Sequence, residues 1–160
     1  MRYLHELLVP FKSTVLGTLS SNGYPFSSYA PFYYDGSIVY VFLSDIATHS
    51  KNMQARPKAS AFFIEDESIT SNIFKRKRIS LQCDVKKIDR NTASFNTTMK
   101  AFQEKHSDGT LAMLMGMKDF NLYALTPIYG EATFGFGEAY TIGGKNMNRL
   151  LARTAGSGHA

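Results

Sequence analysis

Apolar and polar residues alternate with a period of two along most of this chain, and the interruptions fall where turn-forming residues cluster. Ser13 to Ser20 reads as a first strand, and Ser21-Asn22-Gly23 supplies a tight hairpin turn after it. Tyr24 to Phe32 interleaves large apolar residues with small hydroxyl residues, as in a strand with one face in a core and the other, Ser28 included, lining a site. Asp35-Gly36 turns the chain, Ser37 to Ser44 reads as a buried strand, and Lys58 to Glu65 as another. In Lys77 to Ile88 the residues Ile79, Leu81, Cys83 and Val85 share one face.

The period changes in a few places only. Ile46 to Ala55 predicts one to three helical turns that stop before Pro57, and Ile69 to Phe74 a single turn. Phe95, Met99 and Phe102 form the stripe of an amphipathic helix over Asn91 to Lys105, followed by a short helix over Leu111 to Met117. Phe120 to Thr126 and Ile128 to Ile142 are the last two strands, separated or bent at Pro127, and Gly130, Gly135 and Gly137 in the second suggest bulges or close backbone approach. Lys145 to Arg153 predicts a terminal helix. Six to seven strands joined by hairpins, short helices at the rim and no βαβ rhythm imply a mainly β protein built as a small antiparallel barrel.

Composition narrows this picture modestly. The 160 residues suit one domain, with 154–160 as a flexible glycine-rich tail. No apolar run approaches the ~20 residues that span a bilayer, and the short patch around Leu7 to Pro10 lacks a small-residue cleavage site, so the expectation is a cytoplasmic protein without membrane contact. Cys83 is the only cysteine, which excludes an internal disulfide. The net charge of +5 and pI near 9.3 favour an anionic ligand. Nucleic acid is disfavoured, because no helix-turn-helix, zinc or RNP-type pattern accompanies the basic run Lys75-Arg76-Lys77-Arg78. On a strand, that run sends alternate side chains to opposite faces.

Candidate chemistry is sparse. The four histidines show no zinc spacing, and no nucleophile elbow surrounds any serine. His5 and His106 read as surface residues. His49 follows a strand and neighbours Ser50 and Lys51, where it either faces an anion together with Lys51 or caps and packs. His159 belongs to the Gly-Ser-Gly-His tail; it is either a disordered end or a ligand that reaches over a groove to an iron bringing its own equatorial ligands. Asp119 opens a strand after a methionine-rich segment and reads as a sheltered carboxylate or a turn residue.

Taken in order, several blocks resemble the FMN-binding split-barrel superfamily, the pyridoxamine 5'-phosphate oxidase-like proteins, and within it the haem-utilisation proteins of the HugZ/HutZ type. They are Thr18-Leu19 with Gly23-Tyr24-Pro25, Ser28-Tyr29-Ala30-Pro31-Phe32, His49-Ser50-Lys51-Asn52-Met53 with Arg56-Pro57, Lys77-Arg78-Ile79, Lys118-Asp119-Phe120, and Gly135-Phe136-Gly137-Glu138-Ala139-Tyr140. The resemblance implies a split barrel, a homodimer, and haem as both cofactor and substrate, opened to a biliverdin-type product with electrons from an external donor. It implies His159 as axial iron ligand, Asp119 as the carboxylate bonded to it from the other subunit, Arg78 as a distal group, and Ser28, His49 and Lys51 in the cofactor groove. Flavin-binding members carry a basic residue where this chain has His49, so FMN loses a fixed cation there unless Lys51 substitutes. The alternatives are an FMN-dependent oxidoreductase and a non-enzymatic haem carrier or store.

Overall fold

In a computed structural model the chain is described over residues 2–135 and 137–153. Ten strands form one antiparallel sheet: β1 (Arg2–Tyr3), β2 (Ser13–Leu19), β3 (Pro25–Pro31), β4 (Tyr33–Tyr34), β5 (Val39–Ser44), β6 (Lys58–Ile64), β7 (Arg78–Ile88), β8 (Phe120–Thr133), β9 (Ala139–Gly143) and β10 (Arg149–Ala152). Four helices attach to it: α1 (Leu4–Leu8), α2 (Thr48–Ala55), α3 (Ala93–Lys105) and α4 (Thr110–Met115). The spatial order is β1-β10-β9-β8-β7-β6-β2-β3, and β5 pairs with β8 while carrying β4. The sheet curls into the predicted split barrel.

Strand β8 makes that curl possible. Its first half pairs with β5 from Phe120 to Leu125, and its second half pairs with β9 from Glu131 to Thr133, while β7 pairs with it from Leu122 to Thr133. The register slips by one residue opposite Gln82 and Cys83, where Pro127 sits. Proline cannot donate to a ladder, so the bend falls where the missing donor is tolerated. Gly130 lets the wall close, because a Cβ there would lie 2.7 Å from Leu81 and 2.8 Å from Ile142.

Two cores follow from the two faces of β5. Val39, Val41 and Leu43 point into the barrel with Leu16, Phe32, Ala61, Phe63, Leu81 and Leu125. Tyr40 and Phe42 point outward and pack under the Phe95, Met99 and Phe102 stripe of α3. Each of those three side chains contributes about 1.5–3 kcal/mol by leaving water. Thr92 caps α3, its Oγ1 accepting from the Phe95 N–H at 3.2 Å.

The chain's ends depart from expectation. Lys145 to Arg153 forms no helix: a turn with Met147 at φ 52° leads into β10, which pairs with β9 and puts Leu150 in the core. Sheet pairing here overrides helical propensity. The strand expected over Ile128 to Ile142 is broken, with Gly135 and Gly137 at positive φ between β8 and β9. The N-terminus is anchored, since Leu4 and Leu8 of α1 plug the barrel and the Leu4 N–H donates to the Asn148 carbonyl at 2.7 Å. Two short 3-10 turns, Glu67–Ile69 and Ile73–Lys75, replace the single turn expected around Ile69 to Phe74. Lys75 to Lys77 therefore precede the strand, so the basic run does not alternate across a sheet.

Candidate functional site

Helix α2 is fixed to three strands by side-chain hydrogen bonds. His49 Nδ1 and Ser28 Oγ of β3 share one of 2.8 Å. The buried Asn52 donates from Nδ2 to Thr18 Oγ1 of β2 at 3.0 Å. Gln54 donates to the Tyr123 hydroxyl of β8 at 2.8 Å. Burial holds the His49 pKa below the ordinary histidine value, which favours the neutral ring. Its Nδ1 is engaged, and its Nε2 is the nitrogen left for any ligand. Lys51, two residues on, is exposed.

At the entrance to α2 a second cluster holds Asp119. The Ser44 hydroxyl donates to Asp119 Oδ2 at 2.7 Å, and the Asp45 N–H donates to the Asp119 carbonyl at 2.7 Å. Asp45 itself accepts from the Tyr123 hydroxyl at 3.0 Å, from Gln54 at 3.2 Å and from Asn121 at 2.7 Å, with the Lys87 ammonium at 3.8 Å. Arg90 closes the other side, its guanidinium donating to the carbonyls of Met115, Met117 and Phe120 while lying over the Phe42 and Phe95 rings. The Asp119 carboxylate is exposed and carries one hydrogen bond in a fixed frame.

Arg78 lies elsewhere. It begins β7, opposite Ile64 and Thr133, whereas Asp119 adjoins the other end of the same ladder, on the order of 30 Å away along the strands. Arg78 also differs from the α2 cluster in face. Ser28 pairs with Leu16, which points into the barrel, while Arg78 alternates with the buried Ile79 and so faces outward with Ile64 and Phe62. The Arg78 guanidinium donates to the Arg76 carbonyl at 2.8 Å and has no carboxylate partner among the described residues. Its outer face also presents Val15, Leu19 and Tyr29, all exposed. A cavity of about 580 Å³ opens among apolar Phe11, Phe62, Ile64 and Phe134, with Lys12, Lys77, Glu65 and Asp66 also in its lining.

One chain therefore brings Ser28 to His49 and sets Asp119 at the same end of the fold, but separates both from Arg78. His159 lies outside the described residues, as does Phe136. His106 is half-buried, not a surface residue, and its Nε2 bonds the Phe32 carbonyl at 2.8 Å. Among the described residues no three His, Cys, Asp or Glu side chains gather as a metal site, and no helix is long and apolar enough to cross a membrane. Burial raises the Cys83 thiol to about 12, which leaves it protonated and unreactive. Sequence reasoning missed Ser44, Asp45, Arg90, Asn121 and Tyr123. Asn121 and Tyr123 were readable as polar tips on one face of a strand start, but nothing in the sequence pairs them with Asp45.

Comparison with known proteins gives the family of the fold. Residues 4–134 match the pyridoxamine 5'-phosphate oxidase family. The haem oxygenase HutZ of Vibrio cholerae is 30% identical over 136 residues, covering 85% of this chain and 77% of the relative. A crystal structure of HutZ, there called the haem storage protein, superposes with a TM-score of 0.75 at 28% identity and covers 84% of this chain and 98% of that one. Campylobacter jejuni ChuZ superposes with a TM-score of 0.82 at 29% identity over 94% of this chain, which spans 60% of the ChuZ chain. The chain belongs to the pyridoxamine 5'-phosphate oxidase-like split barrels and, within them, to the HugZ/HutZ type.

Proposed function

We propose that this protein binds haem between two copies of the chain and degrades it oxidatively to a biliverdin-type product, releasing iron in the cytoplasm for iron acquisition. The observation that carries this reading is Arg78, a half-buried guanidinium without a carboxylate partner among the described residues, set on an outward sheet face of apolar side chains. A flat apolar ligand with acidic groups suits such a face. FMN suits the chain less well, because His49 is held toward its neutral form and bonded to Ser28, so it gives a phosphate no permanent cation.

When bound, haem supplies an iron that activates dioxygen with electrons from an external donor, and its own ring is oxidised. His159 would hold the iron. Asp119 of the partner subunit, kept rigid by Ser44 and Arg90, would accept the histidine's ring N–H and raise its basicity. Arg78 would offer charge-assisted hydrogen bonds to the bound group. Because Arg78 and Asp119 stand at opposite ends of one ladder, a site using both draws them from different copies. The exposed Val15, Leu19 and Tyr29 give the second copy an apolar surface to cover, and Met113 and Met117 add another.

Three measurements test the reading. Added haem gives a sharp Soret shift that is lost in His159→Ala; co-purified yellow flavin with no haem response overturns it. Ascorbate and oxygen bleach the Soret band and release iron; a band that persists assigns the protein to haem storage. Arg78→Ala and Asp119→Asn each abolish bleaching, and mixing the two chains restores about a quarter of the activity, since half the dimers then hold one intact site. No recovery on mixing rejects the shared site.

A further inference from the structure

On the outward face of the sheet the Glu131 carboxylate is held by the farther of two arginines. Glu131 stands opposite Ser80 and Arg78 opposite Thr133, so Glu131 and Arg78 are diagonal neighbours on adjoining strands. Both point away from the core, since Ile79 and Ala132, the pair between them, are buried. Diagonal neighbours of this kind lie about 7–8 Å apart, within reach of long side chains. Arg153 follows the end of β10, which lies two strand spacings, or about 10 Å, from β8. Yet it is Arg153 Nη2 that pairs with Glu131 Oε1. The Arg78 guanidinium turns instead to the Arg76 carbonyl at 2.8 Å and has no carboxylate partner among the described residues.

The choice of partner decides what Arg78 can do. Two guanidinium groups beside one carboxylate compete for it, and a carboxylate that already holds one attracts the second less. Arg153 is well placed to win, because its N–H donates to the Ala139 carbonyl at 3.1 Å and fixes its backbone beside β9. Removing the Arg153 side chain leaves that backbone bond intact and the Glu131 carboxylate bare, with Arg78 as its diagonal neighbour. A charge-assisted bond between those two would then engage the donors that a ligand on this face requires. We propose that Arg153 is a positioning residue: by occupying Glu131 it keeps the Arg78 guanidinium uncommitted and available to the acidic group of a bound ligand. The proposal rests on the reading of Arg78 as a haem-binding group, and it assigns the C-terminal end of the sheet a part in that site.

The first arm of the test needs no haem. In the full chain with ¹⁵N-labelled arginine, the Arg78 Nε–H signal is identified by its loss in Arg78→Lys. It is expected to move in Arg153→Ala and to return in the double variant Arg153→Ala with Glu131→Gln, while Arg153→Lys, which keeps the charge, leaves it in place. The second arm titrates haem and follows the Soret band. Arg153→Ala is expected to weaken haem about ten-fold, the worth of one charge-assisted hydrogen bond, and the added Glu131→Gln to restore it, with Arg78→Ala setting the floor. A merely structural ion pair predicts no such rescue, since the double variant leaves the pair as broken as the single one. An Arg78 signal that stays still in Arg153→Ala, or a loss that Glu131→Gln does not restore, overturns the proposal. Weakening in Arg78→Ala alone removes the role of Arg153 and leaves that of Arg78 standing, whereas haem affinity unchanged in Arg78→Ala removes both.

Discussion

The corner at the entrance to α2 and the junction of α1 with β4 both bury polar side chains beneath a helix, with contrasting accounts. At the α2 corner most donors and acceptors interlock: Asp45 gathers Tyr123, Gln54 and Asn121, Asn52 meets Thr18, and Ser44 meets Asp119, with the buried Ser50 hydroxyl the exception among the described residues. Where α1 meets β4 the Tyr34 hydroxyl is buried with no hydrogen-bond partner among the described residues, and the nearby Lys105 ammonium lies over the Phe32 ring. A satisfied network holds geometry and is insensitive to what lies outside it. An unsatisfied one costs stability instead. Polar burial is thus architecture in one place and a standing penalty in the other.

The contrast breaks most sharply at Asp45. Asp45→Ala strands the Asn121 amide and removes an acceptor from the fully buried Tyr123, so a loss of about 2–4 kcal/mol is expected in urea unfolding. The same variant frees the β5 to α2 turn that holds Asp119, so haem-dependent bleaching falls along with stability. Full activity at reduced stability would show that Asp119 needs no such frame. Asn52→Ala comes next: it removes the Thr18 bond under α2 and is expected to cost about 1–2 kcal/mol, with Arg78-side properties unchanged.

Much of this contrast was invisible in the sequence, for identifiable reasons. The barrel wall was legible because Ile79, Leu81 and Cys83 repeat at period two, and α3 because Phe95, Met99 and Phe102 repeat at the helical spacing. Residues Leu4 to Leu8 were not, since five residues carry too few turns for a period to register. Lys145 to Arg153 misled because its helical propensity is overruled by β9, a partner only the fold supplies. His49 and Ser28 could be suspected of sharing a site, yet their contact joins positions 21 apart, and Asp45 reaches Asn121 across 76. Patterns reveal faces; they do not reveal which faces meet. The opposite placement of Arg78 and Asp119 was equally hidden until the register of β7 against β8 fixed it.

On the unsatisfied side the sign reverses. Tyr34→Phe deletes a hydroxyl that has no partner among the described residues, so the unliganded protein is expected to gain up to about 1 kcal/mol in urea unfolding, against the losses at Asp45 and Asn52. A loss above that size would mean that the hydroxyl has an acceptor, and the comparison between the two regions would collapse.

The smallest effect concerns His49, where the α2 corner contains a titratable group in a satisfied bond. Burial lowers its folded pKa below the roughly 6.5 of an exposed histidine. Between those two values the unfolded chain binds the proton and the folded chain does not, so its contribution is complete above about 6.5 and is lost as the pH falls through that value towards the folded pKa. Urea midpoints for the wild type should therefore decline more steeply than those of His49→Gln between pH 7 and pH 5, because glutamine can keep a hydrogen bond to Ser28 without titrating. The other histidines contribute equally to both proteins and cancel in the difference. Parallel profiles would mean that His49 titrates as though in water, and a protonated His49 would then be free to supply the cation that an FMN phosphate requires.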